Sequence, residues 1–497
     1  MTDPALIPVL VGCGEVVDRP ATLDVAREPL ALAETAVRAA ALDAGAERLI
    51  AEADALDLVN ISSWRYADPA GQLAARLGIV PRHRFYAEIG GESPVRMVHD
   101  AALRIARGDG RIAIVCGAEA QYSAARAHRE AATLAWTPYA TDAPKSLSGR
   151  DLIHPLAAAA GLTAPTNVYP LYDMAAAAAW GQTPAAALAE SGALWERYSQ
   201  VAAGNPSSWL PRAISAHDIV TPGPGNRPIA FPYTKLMVAN PLVNQGAAVI
   251  VTSLNVARDY GIAENRMIHL LGGAAASEPR DFMARDGFAR SHAQDAVLEA
   301  AMAISPTGFD ALELYSCFPC VPKMARRTLG LGDDVAPTVT GGLTFFGAPL
   351  SDYMLHAICA MVRRLRESGG TGLVYGQGEF VTKHHALVFS AAAGPPLAPE
   401  YSVQAHADAR RGAVPPTIAP PSGPATLESA TVLYNRDGTP IHGVAVLRVA
   451  EARTIAVVPP EDTATLAILT DPQRSPVGRS GNIIHGQGPA TWAATPC

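Results

Sequence analysis

The feature that most restricts the fold is a glycine-rich loop followed by a helix and a strand, a pattern that occurs twice. The first copy begins at Gly90–Pro94, and apolar residues at helical spacing predict a helix over 94–107. Ser93 can cap this helix, and Pro94 fits its first turn. The strand Ile112–Val115 follows and is closed by Gly117.

The second copy begins at Gly341–Gly342 and Gly347–Pro349. A helix with Met354–Leu365 follows, and then the strand Gly372–Tyr375, closed by Gly376. The shared order suggests that one α/β half has been duplicated. The alternative is a chance similarity between two α/β segments.

Short apolar strands alternate with helical segments elsewhere in the first half. Ile7–Val11 and Ala55–Ile61 are predicted strands, and Ala31–Ala44 is a predicted helix. In the second half, Ala386–Ser390 is a further predicted strand. This alternation predicts an α/β fold with a largely parallel sheet.

A long insertion and a different C-terminal region complete the chain. The insertion, roughly Gln121–Tyr233, is too long for a structureless loop and predicts a separate lobe or a lid. The runs around the turn Asn435–Gly438 predict a hairpin in a small β-rich, OB-like domain. The expected divisions are 1–122 for the first half, 123–235 for the inserted loop domain, 236–262 for the return to the first half, 263–400 for the second half, 401–426 for a proline-rich linker and 427–497 for the β-rich domain.

Composition excludes several classes of protein. The formal net charge is −7 and basic runs are lacking, so we expect no nucleic-acid partner. No segment has the length and hydropathy of a membrane span or a signal peptide, and six cysteines without framework spacing predict reduced thiols in a cytoplasmic protein.

Cys317 and Cys320 form a CxxC motif without the second pair that a zinc ribbon requires. Two buried thiols are the favoured interpretation, and a redox or metal site is the alternative. We therefore expect no metal.

Four short motifs carry a resemblance to a known family. They are EIGGESP at 88–94, Tyr315–Phe318, Gly347–Pro349 and Gly376–Gly378. With the duplicated halves, they resemble the thiolase superfamily, specifically type 1 thiolase-like proteins related to sterol-carrier-protein thiolases and acetyl-CoA acetyltransferases. The resemblance covers about residues 5–395 and implies duplicated αβαβα layered halves with a loop domain that binds coenzyme A (CoA). The proline-rich linker and β-rich domain resemble the extra C-terminal domain of such proteins.

Gly91 occupies the position where this resemblance places the nucleophilic cysteine, counting back from Gly117. No cysteine lies between Cys13 and Cys116. The N-terminus of the predicted helix can still cradle an oxyanion or a thioester carbonyl. An acyl-enzyme cannot form at a glycine.

The second motif places Tyr315 where thiolases have the asparagine or histidine that polarises the thioester carbonyl. A tyrosine hydroxyl can donate the same kind of hydrogen bond, although Tyr315 could instead serve only in packing. Cys317 and Phe318 match the family pattern, and Cys317 is an alternative nucleophile.

The third and fourth motifs lack the family's histidine and second cysteine, since Ala348 stands in place of the histidine. His356 could substitute, or it could be a buried helical histidine. His384 is predicted at the mouth of the site as a general base. The alternative is a surface loop with two solvated histidines, His384 and His385.

The resemblance implies a protein of lipid metabolism that binds CoA or an acyl-CoA as substrate, without a covalently bound cofactor. We expect acyltransferase-type chemistry without an acyl-cysteine. The alternative is an inactive CoA-binding or scaffold protein. A monomer or homodimer is expected, and a partner protein is considered. The candidate catalytic residues are Tyr315, His384 and Cys317, and the candidate substrate-binding residues are Gly90, Gly91, Ser93, Phe318, Gly347, Pro349, Gly376 and Gly378.

Overall fold

The computed structural model describes residues 3–143, 145–486 and 488–495. The strands are β1 (Pro8–Val17), β2 (Ala55–Leu58), β3 (His83–Tyr86), β4 (Ile112–Ala120), β5 (Pro228–Ala230), β6 (Tyr233–Thr234), β7 (Asn244–Ser253), β8 (Ile268–Ser277), β9 (Ala311–Leu314), β10 (Thr371–Gly378), β11 (Lys383–Ser390), β12 (Gly423–Tyr434), β13 (Pro440–Val449), β14 (Ala452–Val458), β15 (Ser480–Ile484) and β16 (Thr491–Ala494).

The helices are α1 (Pro29–Asp43), α2 (Arg48–Ala51), α3 (Pro69–Leu77), α4 (Ser93–Ala106), α5 (Gln121–Glu130), α6 (Pro155–Ala159), α7 (Pro165–Ala179), α8 (Pro184–Gly204), α9 (Ala216–Val220), α10 (Leu254–Asp259), α11 (His292–Ile304), α12 (Cys320–Thr328), α13 (Gly342–Phe345), α14 (Tyr353–Ser368), α15 (Gln404–Arg410) and α16 (Thr463–Leu469). Across the described part of the chain, every helix is too short or too polar to cross a membrane.

The core contains a nine-stranded sheet in the order β3-β2-β4-β7-β1-β8-β11-β10-β9. From the central pair outward, β1, β7, β4 and β2 on one side match β8, β11, β10 and β9 on the other. Corresponding pairs also agree in direction, since β2–β4 and β9–β10 are both parallel. The predicted duplication is therefore confirmed.

The prediction of a largely parallel sheet is wrong. The last strand of each half, β7 or β11, runs antiparallel to both of its neighbours. The central pair β1–β8 is antiparallel as well. Each half is a mixed sheet because its last strand inserts between two strands that run the opposite way.

Two helices lie in the centre of the layers. α4 and α14 pack against each other, and each contacts strands of both halves. On α4, Val95, Val98, Ala102 and Ile105 are buried, as the helical spacing predicts. α1 covers the outer side of the first half, and α11 covers that of the second. The N-terminus of each central helix thus lies between the halves.

The C-terminal region forms a closed five-stranded barrel. Strand pairing runs β12–β13–β14–β16–β15 and returns to β12, with α16 between β14 and β15. This confirms the predicted OB-like, β-rich domain, and β12 and β13 form the predicted hairpin. β12 begins at Gly423, and the preceding proline-rich stretch contains α15.

The barrel is anchored by a buried arginine. Arg453 is fully buried, and its guanidinium donates to the carbonyl oxygens of Met283 (2.7 Å) and Arg285 (2.6 Å). It also pairs with Glu428 at 2.6 Å, which Arg448 contacts at 2.8 Å. A buried charge with all of these partners fixes the barrel against the second half of the core.

Replacing Arg453 with Met should therefore weaken this junction. Removing one partner of a buried ion pair leaves the charge of the other poorly compensated, which lowers the free energy of unfolding by about 3 kcal/mol. Differential scanning calorimetry should show a lower melting temperature for Arg453→Met than for Arg474→Met, an exposed arginine of the same domain. Equal melting temperatures for the two variants would contradict this role.

Candidate functional site

The loop that contains Gly91 lies at the N-terminus of α4. The Gly90 N–H donates to Ser351 Oγ at 3.2 Å, which ties this loop to the segment after Gly347–Pro349. The predicted cap by Ser93 is wrong. Ser93 is the first residue of α4, and its hydroxyl donates to the Glu88 carbonyl oxygen at 3.3 Å.

The space beside Gly91 is filled by the second half of the core. A Cβ at this position would overlap the Tyr315 hydroxyl and the Gln377 carbonyl oxygen, and would lie 2.6 Å from Tyr315 Cζ. The Tyr315 hydroxyl therefore occupies the volume that a side chain at position 91 would need. The motifs of Gly91 and Tyr315 meet as expected.

The carboxyl group of Glu92, which was not predicted as a site residue, lies beside Gly91. Glu92 is buried, and its Oε2 has no hydrogen-bond partner among the described residues. Its nearest cation is Lys383, whose Nζ lies 4.0 Å from Oε1. Burial raises the pKa of Glu92, against the opposing effect of Lys383. A carboxylate with a raised pKa and a free oxygen is suited to proton transfer.

Gly378 and Gly376 make room for Glu92. A Cβ at Gly378 would overlap Glu92 Oε2 and lie 3.2 Å from the Gly91 nitrogen. A Cβ at Gly376 would lie 3.0 Å from Glu92 Cα and 3.1 Å from Val95 Cγ2. The two glycines thus permit close packing of β10 against the start of α4.

The remaining residues of the second motif are buried beside the inserted lobe. Phe318 stacks on Tyr169 with a centroid distance of 4.2 Å. The Cys317 thiol donates to Gln377 Oε1 at 3.7 Å. Burial raises the pKa of Cys317 to about 12, so the thiol is protonated at neutral pH. A neutral, enclosed thiol is a poor nucleophile.

The CxxC motif contains two buried free thiols, as favoured from the sequence. Cys320 is the first residue of α12. Within residues 3–143, 145–486 and 488–495, no group of three or more potential ligands could hold a metal ion.

The third motif positions backbone rather than a reactive side chain. Gly347 has φ 117°, and the Ala348 N–H donates to the Asn240 carbonyl oxygen at 2.9 Å. A Cβ at Gly347 would lie 2.6 Å from Gln245 Oε1. Pro349 precedes a short 3-10 turn that contains Ser351, the acceptor for Gly90.

The loop after Gly378 is strained. Glu379 and Val381 have positive φ values of 58° and 57°, which non-glycine residues rarely adopt. Such strain persists only where surrounding contacts impose it, and it is concentrated at functional sites.

Three side chains hold this loop by its consecutive carbonyl oxygens. The Tyr169 hydroxyl donates to the carbonyl oxygen of residue 379 at 2.6 Å, and the Tyr172 hydroxyl donates to that of residue 380 at 2.8 Å. The Arg285 guanidinium donates to the carbonyl oxygen of residue 381 at 2.8 Å. The two tyrosines belong to α7 of the inserted lobe. The lobe thus fixes the backbone that follows the glycines of β10.

The predicted position of His384 at the mouth of the site is wrong. The ring is buried, with Nδ1 2.7 Å from the Tyr375 hydroxyl and Nε2 3.1 Å from Ser291 Oγ. Burial lowers the pKa of His384 to about 4, although Glu278 opposes the shift. β11 places His384 opposite Gln377, on the side away from Glu92 and Gly378.

The other histidines considered are also internal. His356 is fully buried, with Nδ1 2.6 Å from Glu15 Oε1 and Nε2 3.6 Å from Asp352 Oδ2. His385 is not solvated, since its Nε2 lies 3.0 Å from His99 Nδ1. Both side chains therefore lie inside the fold and not at a solvent-exposed site.

Two observations now bear on the family. The chain has duplicated halves around two central helices, and residues 403–487 match the family described as thiolase-like protein type 1 additional C-terminal domain. It is similar to a monomeric SCP2-thiolase-like protein type 1 from Mycobacterium smegmatis, with 26% identity, a TM-score of 0.83 and 100% of each chain covered. The chain has the thiolase fold, and its C-terminal residues match the additional domain of type 1 thiolase-like proteins.

More distant structures share the fold of the core. The Ltp2–ChsH2(DUF35) aldolase has 19% identity and a TM-score of 0.60, over 78% of this chain and 98% of that one. Human mitochondrial 3-ketoacyl-CoA thiolase has 14% identity and a TM-score of 0.57, over 78% of this chain and 100% of that one. Among curated protein sequences, none matches the chain significantly.

Substitution of Gly91 should reveal the Tyr315 contact. Gly91→Ala should lower the free energy of unfolding by about 2 kcal/mol, because the methyl group overpacks the site. The cost should shrink in a Tyr315→Asn background, as a double-mutant cycle measured by urea denaturation can show. Gly204→Ala, where a Cβ meets open space, is the control. Additive costs would refute the contact.

The Cys317 thiol should resist alkylation. With a pKa of about 12 and an enclosed position, it should stay unmodified by iodoacetamide at about pH 8 in the folded protein. Peptide mapping should find it modified after urea denaturation. Rapid modification in the native state would contradict the burial.

Proposed function

We propose that the chain binds CoA or an acyl-CoA and acts on the thioester by acyltransferase-type chemistry that does not pass through an acyl-cysteine. One observation carries this proposal: the Tyr315 hydroxyl fills the side-chain position at Gly91, next to the free carboxyl oxygen of Glu92. This juxtaposition supports a hydrogen-bond donor and a base at the position where the resemblance puts the thiolase nucleophile.

Tyr315 is suited to the role of donor. Burial, Cys317 and Glu92 all raise the pKa of Tyr315, so the hydroxyl keeps its proton at neutral pH. A donor in a water-poor site stabilises negative charge on a thioester oxygen strongly. The N–H groups at the start of α4 favour the same charge.

Glu92 is suited to the role of base, in place of His384. Its carboxylate removes a proton from the carbon next to the thioester carbonyl, and Tyr315 stabilises the enolate oxygen. The enolate carbon then attacks the carbonyl carbon of a second acyl thioester. A C–C bond forms, the C–S bond of that thioester breaks, and the departing CoA thiolate takes the proton from Glu92.

A second candidate function is a non-catalytic CoA-binding or partner protein. The filled space at Gly91 favours it, because the contact leaves no volume there for a reacting side chain. The buried positions of Cys317 and His384 favour it further. In this case the fold would serve binding alone.

Hydrogen exchange at the thioester distinguishes the two functions. In D₂O, the chain should incorporate deuterium at the α-carbon of acetyl-CoA, as mass spectrometry of the recovered thioester can detect. Tyr315→Phe should slow exchange by about 10²- to 10³-fold, the typical loss for one oxyanion donor. Glu92→Gln should abolish it. Tyr139→Phe, at an exposed tyrosine, should leave the rate unchanged.

Two results would contradict the proposed mechanism. Acyl-CoA binding by calorimetry without any exchange would favour the non-catalytic function. Exchange at the wild-type rate in Glu92→Gln would remove Glu92 from the mechanism.

A further inference from the structure

A groove of about 1090 Å³ lies between the inserted lobe and the barrel. The lobe contributes its segment 222–228 together with Lys235 and Leu242. The barrel contributes residues of the β12–β13 turn, from Tyr434 to Gly438. The groove exists only because the barrel is fused to this chain.

A backbone and a side-chain hydrogen bond fix the two walls against each other. The Phe231 N–H donates to the Val432 carbonyl oxygen at 2.8 Å, and Thr431 Oγ1 donates to the Phe231 carbonyl oxygen at 2.9 Å. A Cβ on Gly438 would lie 3.6 Å from Pro228 Cγ, so the turn itself touches the lobe. The groove is therefore a defined feature of the fold.

Three cations that line the groove have no acidic partner among the residues that the structure describes. Within the described part of the chain, the Arg227 guanidinium donates only to the Pro228 carbonyl oxygen, at 3.0 Å. Lys235 and Arg436 are exposed and form no side-chain ion pair or hydrogen bond with the described residues. The Lys235 backbone N–H donates to the Arg227 carbonyl oxygen at 2.9 Å, so the two residues lie next to each other in the structure.

Asp437, the one carboxylate among the described residues that line the groove, forms hydrogen bonds within its own turn. Asp437 Oδ1 accepts from the Thr439 N–H at 2.9 Å and from Thr439 Oγ1 at 2.7 Å. The groove thus presents unpaired positive charge in a chain whose net charge is −7. Unpaired cations in a concave site attract anions, and arginine matches the geometry of phosphate.

Apolar surface accompanies the charge. The half-buried ring of Tyr434 and the exposed Leu242 line the same groove. Aromatic rings provide a face on which nucleobases stack. A ligand with phosphate groups and a planar base would use both kinds of surface.

We infer that this groove binds the phosphate groups of a nucleotide, and that the barrel contributes Arg436 to the site. If the nucleotide is the adenosine end of an acyl-CoA, the inference rests on the proposed function and gives the C-terminal barrel a part in substrate binding. A free nucleotide would use the same contacts.

Calorimetry with adenosine 3′,5′-bisphosphate tests the inference without any thioester. The full-length chain should bind this probe at low ionic strength, and binding should weaken as salt is added. Arg227→Gln, Lys235→Gln and Arg436→Gln should each weaken binding by about three- to tenfold, as expected for loss of one charged contact. Arg474→Gln, an exposed cation of the barrel outside the groove, should bind like the wild type.

Absence of binding, or equal binding by all four variants, would overturn the inference. A parallel titration with CoA identifies the source of the nucleotide. Weaker binding of both ligands by Arg436→Gln assigns the groove to the adenosine end of CoA. Weaker binding of the bisphosphate alone assigns it to a free nucleotide. Bisphosphate binding in a chain that shows no α-hydrogen exchange would refute the proposed chemistry while supporting this site.

Discussion

The contact between Gly91 and Tyr315 joins the two halves of the core at the end of a central helix. Gly91 precedes α4 in the first half, and Tyr315 follows β9 in the second. Because the Tyr315 hydroxyl and the Gln377 carbonyl oxygen fill the side-chain volume at position 91, only glycine fits without a shift of its neighbours. Glycine at position 91 thus permits the close approach of the two halves at this point. The same closure buries Glu92 next to the glycines of β10.

The appended parts of the chain support this contact. α7 of the lobe holds the strained loop after Gly378 through its two tyrosines. The barrel in turn contacts α7, since Ser429 Oγ donates to the Leu171 carbonyl oxygen at 2.7 Å. A continuous series of hydrogen bonds therefore connects the C-terminal domain to the site. Such support keeps a strained backbone in one conformation.

Patterns in the sequence predicted the fold better than the site. The repeated loop, helix and strand predicted the duplication because buried helices and glycine turns leave periodic signals. The meeting of Gly91 with Tyr315 followed from the resemblance. The role of His384 did not, because the face of β11 on which a side chain lies depends on strand register. Glu92 was missed although it stands in the first motif, since burial and a raised pKa arise only when β10 packs against α4. The available signal was the position of this carboxylate in the sequence, directly after two glycines and before the start of a predicted helix.

The most direct test of the account is a crystal structure with a non-cleavable thioether analogue of acetyl-CoA. The acyl carbonyl oxygen should lie within hydrogen-bonding distance of the Tyr315 hydroxyl. Its α-carbon should face Glu92, and no covalent bond to Cys317 should form. A ligand whose acyl group lies away from the contact between Gly91 and Tyr315, or is held by His384, would contradict it.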